Sequence, residues 1–327
     1  MEQAIRNFAK QFEWEPKIEN EDKLQRSGKY LVCGMGGSHL AGDIFQTVAN
    51  GFDLSVHQDY DLPSWPDETL KKTLIIASSY SGNTEETISA FEEAVNRGYP
   101  AAAIAVGGKL IELAKKHGVP YIQMPDTGIQ PRSALGFSFK ALAKLIGRED
   151  LLREAGELAF VLRPDDFENP GKQLAEMLIK KIPVIYASNK NYSIAYNWKI
   201  KFNETGKIPA FYNVLPELNH NEMTGFSARG GSASGGDVKE LSHNFSFIIL
   251  RDISDPPKIQ KRMEILEKLY DNRGLQVIVV PLNGSSVLQK IFSSLLLADW
   301  AAYYTAKNYG LEAEQVPMVE EFKRLML

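Results

Sequence analysis

The fold is decided by the stretch Leu74-Ile-Ile-Ala-Ser-Ser-Tyr-Ser-Gly-Asn-Thr-Glu-Glu-Thr87. Its apolar first half is typical of a buried strand, and its second half is a loop of small hydroxyl residues around one glycine. Ile88, Phe91 and Val95 then recur at helical spacing. The stretch therefore predicts a strand, a tight loop and a helix N-terminus.

The loop of this stretch has the chemistry of an anion site. A helix N-terminus presents unpaired backbone N–H groups and the positive end of the helix dipole, which together favour a phosphate. The hydroxyls of Ser79, Ser81 and Thr84 would add donors to the same anion. The alternative is that these side chains only cap the helix, with Glu86 three residues after Asn83 forming a capping box. The loop lacks the Lys-Ser or Lys-Thr pair of a Walker A loop, which excludes that class.

Composition and charge narrow the class of protein. The chain has 327 residues, 44% of them hydrophobic and 24% charged, as in soluble globular proteins of one large or two ordinary domains. Its formal net charge is -4, with both signs interspersed. This argues against a protein that binds nucleic acid through a broad basic surface, so an anionic ligand must bind at a local site.

The sequence shows no pattern typical of a secreted, disulfide-bonded or metal-binding protein. We find no signal-peptide pattern and no run of about 18 apolar residues, so the expected location is cytoplasmic, away from a membrane. The single cysteine, Cys33, lies in an apolar run, which indicates a buried structural thiol and no internal disulfide. The five histidines lack the spacing of a helical metal site, and no metal or other cofactor is expected.

A second strand, loop and helix precede the first. Residues 29–33 predict a strand that ends in Gly34-Met-Gly-Gly-Ser38, but position 39 is His39 instead of the glycine of a dinucleotide fingerprint, so NAD binding is not expected. Further strand signals lie at residues 54–56, 73–77, 101–106 and 121–122, alternating with helical segments. The alternation predicts an α/β fold with a doubly wound parallel sheet, in which both loops converge at the carboxyl edge.

The first half closes with one more helix, and the second half then repeats the pattern of strands and helices. Pro131 and Arg132 open a helix toward Leu145, and Arg132 is either a solvated charge or a ligand contact. The charged, proline-containing region after Gly147 predicts a linker. We therefore expect domains at 1–150 and 151–327. Strand signals at 181–188, 245–250 and 276–280, and a helix from about 193 to 204, predict a second sheet.

Four segments of the second half stand out. The polar cluster at 217–226 contains His220, either a surface histidine or a catalytic one. The glycine-serine segment at 228–236 is interpreted as a surface loop, with a phosphate cradle as the less favoured alternative. The apolar segment at 285–309 predicts a helix in the core or at a subunit interface. A short helix at 319–325 carries Lys323.

With these motifs in view, the chain resembles the bifunctional phosphoglucose/phosphomannose isomerases of the sugar isomerase (SIS) domain superfamily. The resemblance covers most of the chain and implies two SIS-type, flavodoxin-like subdomains. The motifs that carry it are Gly36-Gly37-Ser38, Ser79-Tyr80-Ser81-Gly82-Asn83-Thr84, Pro131-Arg132, Asn203-Glu204, Asn219-His220 and Lys323.

The resemblance implies roles for these residues. The sugar phosphate would bind at Gly36, Gly37, Ser38, Ser79, Ser81 and Thr84. The catalytic residues would be Arg132, Glu204, His220 and Lys323. Family members are homodimers, and His220 would act across the subunit interface.

The residue types suit a metal-independent aldose–ketose isomerisation of glucose 6-phosphate, and of mannose 6-phosphate, with fructose 6-phosphate. A glutamate is ionised at neutral pH, so Glu204 is the candidate base that moves a proton between C1 and C2 through a cis-enediolate. His220 would exchange a proton with the ring oxygen. Arg132 would stabilise the enediolate oxygen. Lys323 would assist ring opening or orient hydroxyls.

One departure and two alternatives stay open. The family often has Thr-Pro before its terminal lysine, whereas this chain has Val316-Pro317 preceded by Gln315. Because the resemblance implies that this threonine accommodates the C2 epimer, we expect its loss to bear more on mannose turnover than on glucose turnover. The first alternative is an SIS isomerase for an amino-sugar or pentose phosphate. The second is a non-catalytic sugar-phosphate sensor, which leaves Glu204 and His220 unexplained.

Overall fold

The computed structural model describes residues 1–49, 51–227 and 240–326. They form two compact units. The first unit is Arg6–Arg163, and the second unit runs from Pro164 onward and includes Met1–Ile5. Each unit contains one parallel sheet with its own helices.

The first unit has a five-stranded sheet in which every neighbouring pair is parallel. Its order, β2-β1-β3-β4-β5, is that of a flavodoxin-like sheet. The strands are β1 (Lys29–Cys33), β2 (Asp53–His57), β3 (Leu74–Ser78), β4 (Ala101–Ala105) and β5 (Tyr121–Gln123). All five lie where the sequence predicts them, and the doubly wound α/β prediction is confirmed for this unit.

Helices connect and cover these strands. They are α2 (Leu40–Val48), α3 (Asp67–Leu70), α4 (Glu85–Asn96), α5 (Gly108–His117), α6 (Leu135–Ile146) and α7 (Glu149–Val161), whereas α1 (Glu2–Arg6) lies almost wholly in the second unit. Gly118 ends α5 in the left-handed region at a φ of 61°, as a glycine C-cap should. Asp150, near which we predict the domain boundary, lies in the first turn of α7, and α7 packs on α6 within the first unit.

The interior of the first unit is apolar on both faces of the sheet. Every residue of β3 is buried, which explains its continuous apolar sequence, since helices on both sides remove it from water. Cys33 is 1% exposed, and burial raises the pKa of its thiol to about 12. The prediction of a buried structural thiol is confirmed.

The second unit has a four-stranded parallel sheet in the order β7-β6-β8-β9, which is the same winding with one strand fewer. Its strands are β6 (Ile182–Ser188), β7 (Phe211–Leu215), β8 (Phe245–Arg251) and β9 (Gln276–Pro281). Its helices are α8 (Glu168–Met177), α9 (Tyr192–Glu204), α10 (Pro257–Asp271), α11 (Val287–Asn308) and α12 (Pro317–Met326). The second predicted sheet is therefore confirmed as well.

Strand β7 is the strand of the second sheet that the sequence does not predict. Among the described strands it lies at the edge of its sheet and pairs with β6 alone, and its first two residues are exposed. Its sequence, Phe-Tyr-Asn-Val-Leu, contains neither a long apolar run nor a clear alternation of apolar and polar residues.

Helix α11 belongs to the core of the second unit. It packs on α8 and α9, Leu296 and Trp300 are fully buried, and the Trp198 indole donates to Ser294 Oγ at 2.9 Å. Of the two interpretations of this segment, these contacts support the core. Within the described ranges, no helix combines the length and the apolar character needed to cross a membrane. The predicted glycine-serine segment at 228–236 lies outside the described residues.

Candidate active site

Two loops of the first unit meet at the point where the winding of its sheet reverses. The strands on either side of this point are β1 and β3, and each ends in one of the loops singled out in the sequence. Tyr80 N–H donates to Ser38 Oγ at 2.8 Å, and Ser78 Oγ donates to the Ser38 carbonyl at 2.8 Å. The predicted convergence of the two loops is confirmed, at the position where open α/β sheets bind ligands.

The loop after β3 is organised by its own hydroxyls. Ser79 is fully buried; its Oγ accepts from Gly82 N–H at 3.1 Å and lies 2.9 Å from Thr84 Oγ1. Ser81 is exposed, and its Oγ accepts from Asn83 N–H at 3.2 Å. That contact uses the oxygen of Ser81 and leaves its proton available for an anion. Ser79 thus shapes the loop, whereas Ser81 faces outward.

The capping-box alternative for this loop is wrong. The N-cap of α4 is Thr84, and its side chain makes no cap hydrogen bond. Asn83 Oδ1 instead accepts from Lys109 N–H at 3.1 Å, so Asn83 secures the start of the next helix. No side chain caps the first N–H groups of α4 in the described structure, which leaves them facing the loop as the anion interpretation requires.

A third loop, the one that carries Arg132, packs against the glycine-rich loop. A Cβ atom on Gly37 would lie 2.7 Å from Arg132 N and 2.8 Å from the Pro131 carbonyl carbon, so only glycine permits this approach. Arg132 is 1% exposed. The solvated-charge interpretation of Arg132 is therefore wrong, because the side chain lies inside the unit beside the predicted phosphate loops.

Gln11 holds the Arg132 loop, a role that sequence reasoning missed. It is 4% exposed; its Nε2 donates to the Ser133 carbonyl at 2.7 Å, and its Oε1 accepts from Gly136 N–H at 3.0 Å. A lone glutamine in a polar N-terminal stretch gives no signal of this function, since both partners lie more than 120 residues away.

The second unit presents Glu204 at the end of α9, where the side chain is half-buried. Lys201, one turn earlier, forms a buried ion pair of 2.6 Å with Asp299 on α11. Asn203 Nδ2 donates to the Ile208 carbonyl at 3.0 Å and closes the turn after the helix. The backbone on both sides of Glu204 is thus held in place.

Lys207 links this helix end to the C-terminal segment. It adopts a φ of 60°, rare for a residue with a side chain, and its Nζ donates to the Glu204 carbonyl at 2.6 Å and to the Gln315 carbonyl. A cation is favourable at the negative end of a helix dipole. The contact connects the helix that bears Glu204 with the residues that lead into α12.

His220 and Lys323 both face solvent in this chain. His220 is exposed at the end of a short 3-10 helix, Glu217–His220. Lys323 lies on α12, none of whose described residues is buried, and its Nζ is 2.8 Å from Glu320 Oε1. The described contacts of the second unit do not join His220 to Glu204, so their common role stays a prediction.

The reversal point of the second sheet, between β6 and β8, is filled by side chains. Ser188 Oγ donates to Asp255 Oδ1 at 2.8 Å, and Lys290 Nζ lies 2.7 Å from Asp252 Oδ1. Asp252 and Asp255 are both buried, and burial raises the pKa of Asp255. Carboxylates at this edge would repel a phosphate, so the two sheets are not equivalent as anion sites.

Comparison with known proteins places these features in a family context. The family model described as "Bacterial phospho-glucose isomerase C-terminal SIS domain" matches residues 167–326. The bifunctional phosphoglucose/phosphomannose isomerase of Aquifex aeolicus is 33% identical over 325 residues, which cover 98% of this chain and 96% of that protein. The protein of the same name from Thermoplasma volcanium is 35% identical over 309 residues, covering 93% and 94%.

Solved structures agree with the fold. The C-terminal domain of glucosamine-fructose-6-phosphate aminotransferase from Francisella tularensis matches with a TM-score of 0.67 at 14% identity, over 96% of this chain and 95% of that one. At that identity the likeness bears on the fold alone. The predicted pair of SIS-type α/β units is confirmed.

Proposed function

Because the chain belongs to the family of bifunctional phosphoglucose/phosphomannose isomerases, we propose that it interconverts fructose 6-phosphate with glucose 6-phosphate and mannose 6-phosphate through a cis-enediolate. The observation that carries the proposal is the meeting of the glycine-rich loop, the hydroxyl loop and the Arg132 loop at the carboxyl edge of the first sheet.

The sugar phosphate is proposed to bind at this meeting point. The open N-terminus of α4, the outward hydroxyl of Ser81 and the half-exposed Thr84 support this assignment. Gly36, Gly37 and Ser38 would line the other side, where Gly37 also permits the close approach of Arg132. Neutral donors and a helix dipole then hold the dianion without a cluster of cations.

Glu204 is proposed to move the proton between C2 and C1 of the open-chain sugar. From the aldose, its carboxylate removes the C2 proton to give the cis-enediolate. The carboxyl group, whose proton can exchange with solvent, then returns a proton to C1 while the hydroxyl proton moves from O2 to O1, which gives the ketose. Its half-buried place and fixed backbone support this role. Arg132 would stabilise the charge that develops on the enediolate oxygen.

His220 is proposed to open the sugar ring by giving a proton to the ring oxygen, and Lys323 to assist this step or orient hydroxyls. The exposure of both side chains in one chain supports a site completed by a second copy. We therefore propose a homodimer with His220 acting across the interface.

Complementation between variants tests the dimer. A Glu204→Gln chain and a His220→Ala chain should each be nearly inactive as homodimers. When the two are unfolded together and refolded, the mixed dimer should regain activity, because one of its two sites then receives an intact Glu204 and an intact His220. If both residues came from the same chain, each site of the mixed dimer would lack one of them. Absence of recovered activity in a verified mixed dimer would contradict action across the interface.

A direct assay tests the reaction itself. Fructose 6-phosphate is supplied with EDTA present, and the formation of glucose 6-phosphate and of mannose 6-phosphate is followed with separate coupling enzymes. Turnover to both products is expected. Failure of the folded protein to form either one would exclude the proposed function. The ratio of the two products measures the preference for glucose or mannose, which the presence of Val316 and Gln315 does not decide. The cytoplasmic location stays a prediction.

Replacing Ser81 with alanine should raise KM for fructose 6-phosphate about tenfold and leave kcat unchanged. A hydrogen bond to a charged group is worth about 1.5–3 kcal/mol, and a phosphate contact is present in both ground and transition states. Steady-state kinetics measure both constants. Ser89→Ala on α4 is the control, because the Ser89 hydroxyl bonds Asp61 outside the loop. A fall in kcat alone would remove Ser81 from the phosphate site.

A further inference from the structure

The segment that carries His220, residues 217–226, has little internal structure to fix it. It consists of two short 3-10 helices, Glu217–His220 and Glu222–Phe226. Helices of this kind have poorer hydrogen bonds than α-helices and are rarely stable beyond a few residues. The position of the exposed His220 side chain therefore depends on the contacts that anchor this segment to the second unit.

Apolar side chains anchor its two ends. Leu218 is fully buried and packs in a core cluster with residues of β6 and β8. Phe226 packs edge-on against Phe247, with ring centroids 4.8 Å apart, and against Tyr270 at 6.0 Å. These contacts hold the ends of the segment, while His220 lies between them on its solvent side.

Two polar contacts hold the middle of the segment: Arg262 Nη1 of α10 donates to Asn219 Oδ1 at 3.2 Å, and the carboxylate of Glu222 binds two strands. The hydroxyl of Tyr186 donates to Glu222 Oε1 at 2.6 Å, and Asn213 Nδ2 donates to Oε2. Tyr186 is a fully buried residue of β6, and Asn213 lies on β7, so the one carboxylate joins the segment to two strands. Hydrogen bonds to an ionised carboxylate are about twice as strong as neutral ones.

The other acidic residue of the segment, Glu217, has no such contact with a strand among the described residues. Glu217 is exposed, and its carboxylate accepts from Asn221 Nδ2 at 2.7 Å, within the same segment. Glu217 therefore ties the segment only to itself. It offers a matched control, because it has the same charge and nearly the same distance along the chain from His220.

We propose that Glu222 is a positioning residue for His220, and that its carboxylate sets where the imidazole lies by fixing the segment to β6 and β7. The inference rests on the proposed role of His220 in ring opening. Glu222 itself is held by Tyr186 and Asn213 and acts on the reaction only through the backbone two residues from His220.

Kinetics of single variants are the first test. Glu222→Ala should lower kcat for fructose 6-phosphate by about 100-fold, the scale expected when a catalytic group is displaced by about 1 Å. KM should change little, because the phosphate is held by loops of the first unit. Tyr186→Phe removes one of the two donors, and Glu222→Gln keeps one acceptor oxygen; both should fall between the alanine variant and the wild type. Glu217→Ala should behave as the wild type.

A double-mutant cycle separates positioning from a general loss of stability. In a His220→Ala background, Glu222→Ala should cause no further fall in kcat, since there is no imidazole left to place. If the losses of kcat caused by His220→Ala and Glu222→Ala multiplied in the double variant, the inference would be overturned. A Glu222→Ala variant with normal kcat would overturn it as well. A normal kcat for His220→Ala would instead refute the proposed role of His220, whatever Glu222 does.

Amide hydrogen exchange gives a readout that needs no activity. Exchange in residues 217–226 should be faster in Glu222→Ala than in the wild type and unchanged in Glu217→Ala, while the amides of β6 and β8 keep their protection. Unchanged exchange in this segment would overturn the anchoring role of Glu222 even if the isomerase assay were negative.

Discussion

We expect Glu204→Gln to lower kcat for isomerisation by about 1,000-fold or more, while the variant still binds fructose 6-phosphate. Glutamine has the shape of glutamate but cannot accept the C2 proton, and general acid–base catalysis contributes about 10²–10⁴-fold. The side chain should keep its place, because the backbone after α9 is closed by Asn203 and held by Lys207. The measurement is the coupled assay, together with a binding titration.

Isotope exchange sharpens this test. In heavy water the wild type should incorporate deuterium at C2 of the aldose product, and Glu204→Gln should lose turnover and incorporation together. Glu217→Gln, which neutralises an exposed acid of the same unit, is the control and should retain both. If Glu204→Gln kept its exchange activity, another group would be the base and the assignment of Glu204 would fall.

The parts of the site that the sequence predicts are those with local signals. The loops after β1 and β3 were predicted because each follows an apolar strand directly and contains glycine and hydroxyl residues in a short stretch. The rule that parallel strands present their carboxyl ends at one edge then brings the loops together, and the bond from Tyr80 N–H to Ser38 Oγ confirms it. The polar cluster at 217–226 indicates His220 as a candidate from the residues themselves, whereas the resemblance alone singles out Glu204.

The parts that the sequence does not predict depend on partners far along the chain. The side chain of Gln11 is explained by its contacts with Ser133, Gly136 and Phe137. That of Glu222 is explained by Tyr186 and Asn213. Propensity and periodicity describe neighbours in sequence, so they cannot reveal such contacts. For the same reason the sequence does not decide whether Arg132 is a solvated charge or a buried ligand contact.

Gly82→Ala should be the most damaging single change in the phosphate loop. Gly82 has a φ of 73°, and a Cβ atom there would lie 1.8 Å from the Gly107 carbonyl oxygen. A left-handed alanine costs about 1–2 kcal/mol, and the clash with backbone adds a further 1–3 kcal/mol or more. Two backbone hydrogen bonds tie this loop to the segment after β4. Leu110 N–H donates to the Gly82 carbonyl and Val106 N–H donates to the Tyr80 carbonyl, so the loop cannot simply move away from Gly107.

The control is Gly98, which follows the C-terminus of α4 as Gly82 precedes its N-terminus. Gly98 has a φ of 68°, but a Cβ atom there meets open space, so Gly98→Ala should cost only the same backbone term of about 1–2 kcal/mol. Denaturant unfolding should therefore separate the two variants by the cost of the clash, about 1–3 kcal/mol or more. Where Gly82→Ala still folds, KM for fructose 6-phosphate should rise at least about tenfold, since 1.4 kcal/mol of lost binding is tenfold. Equal stability of the two variants would mean that the loops yield to the added methyl group, and an unchanged KM would mean that the hydroxyl loop does not hold the phosphate.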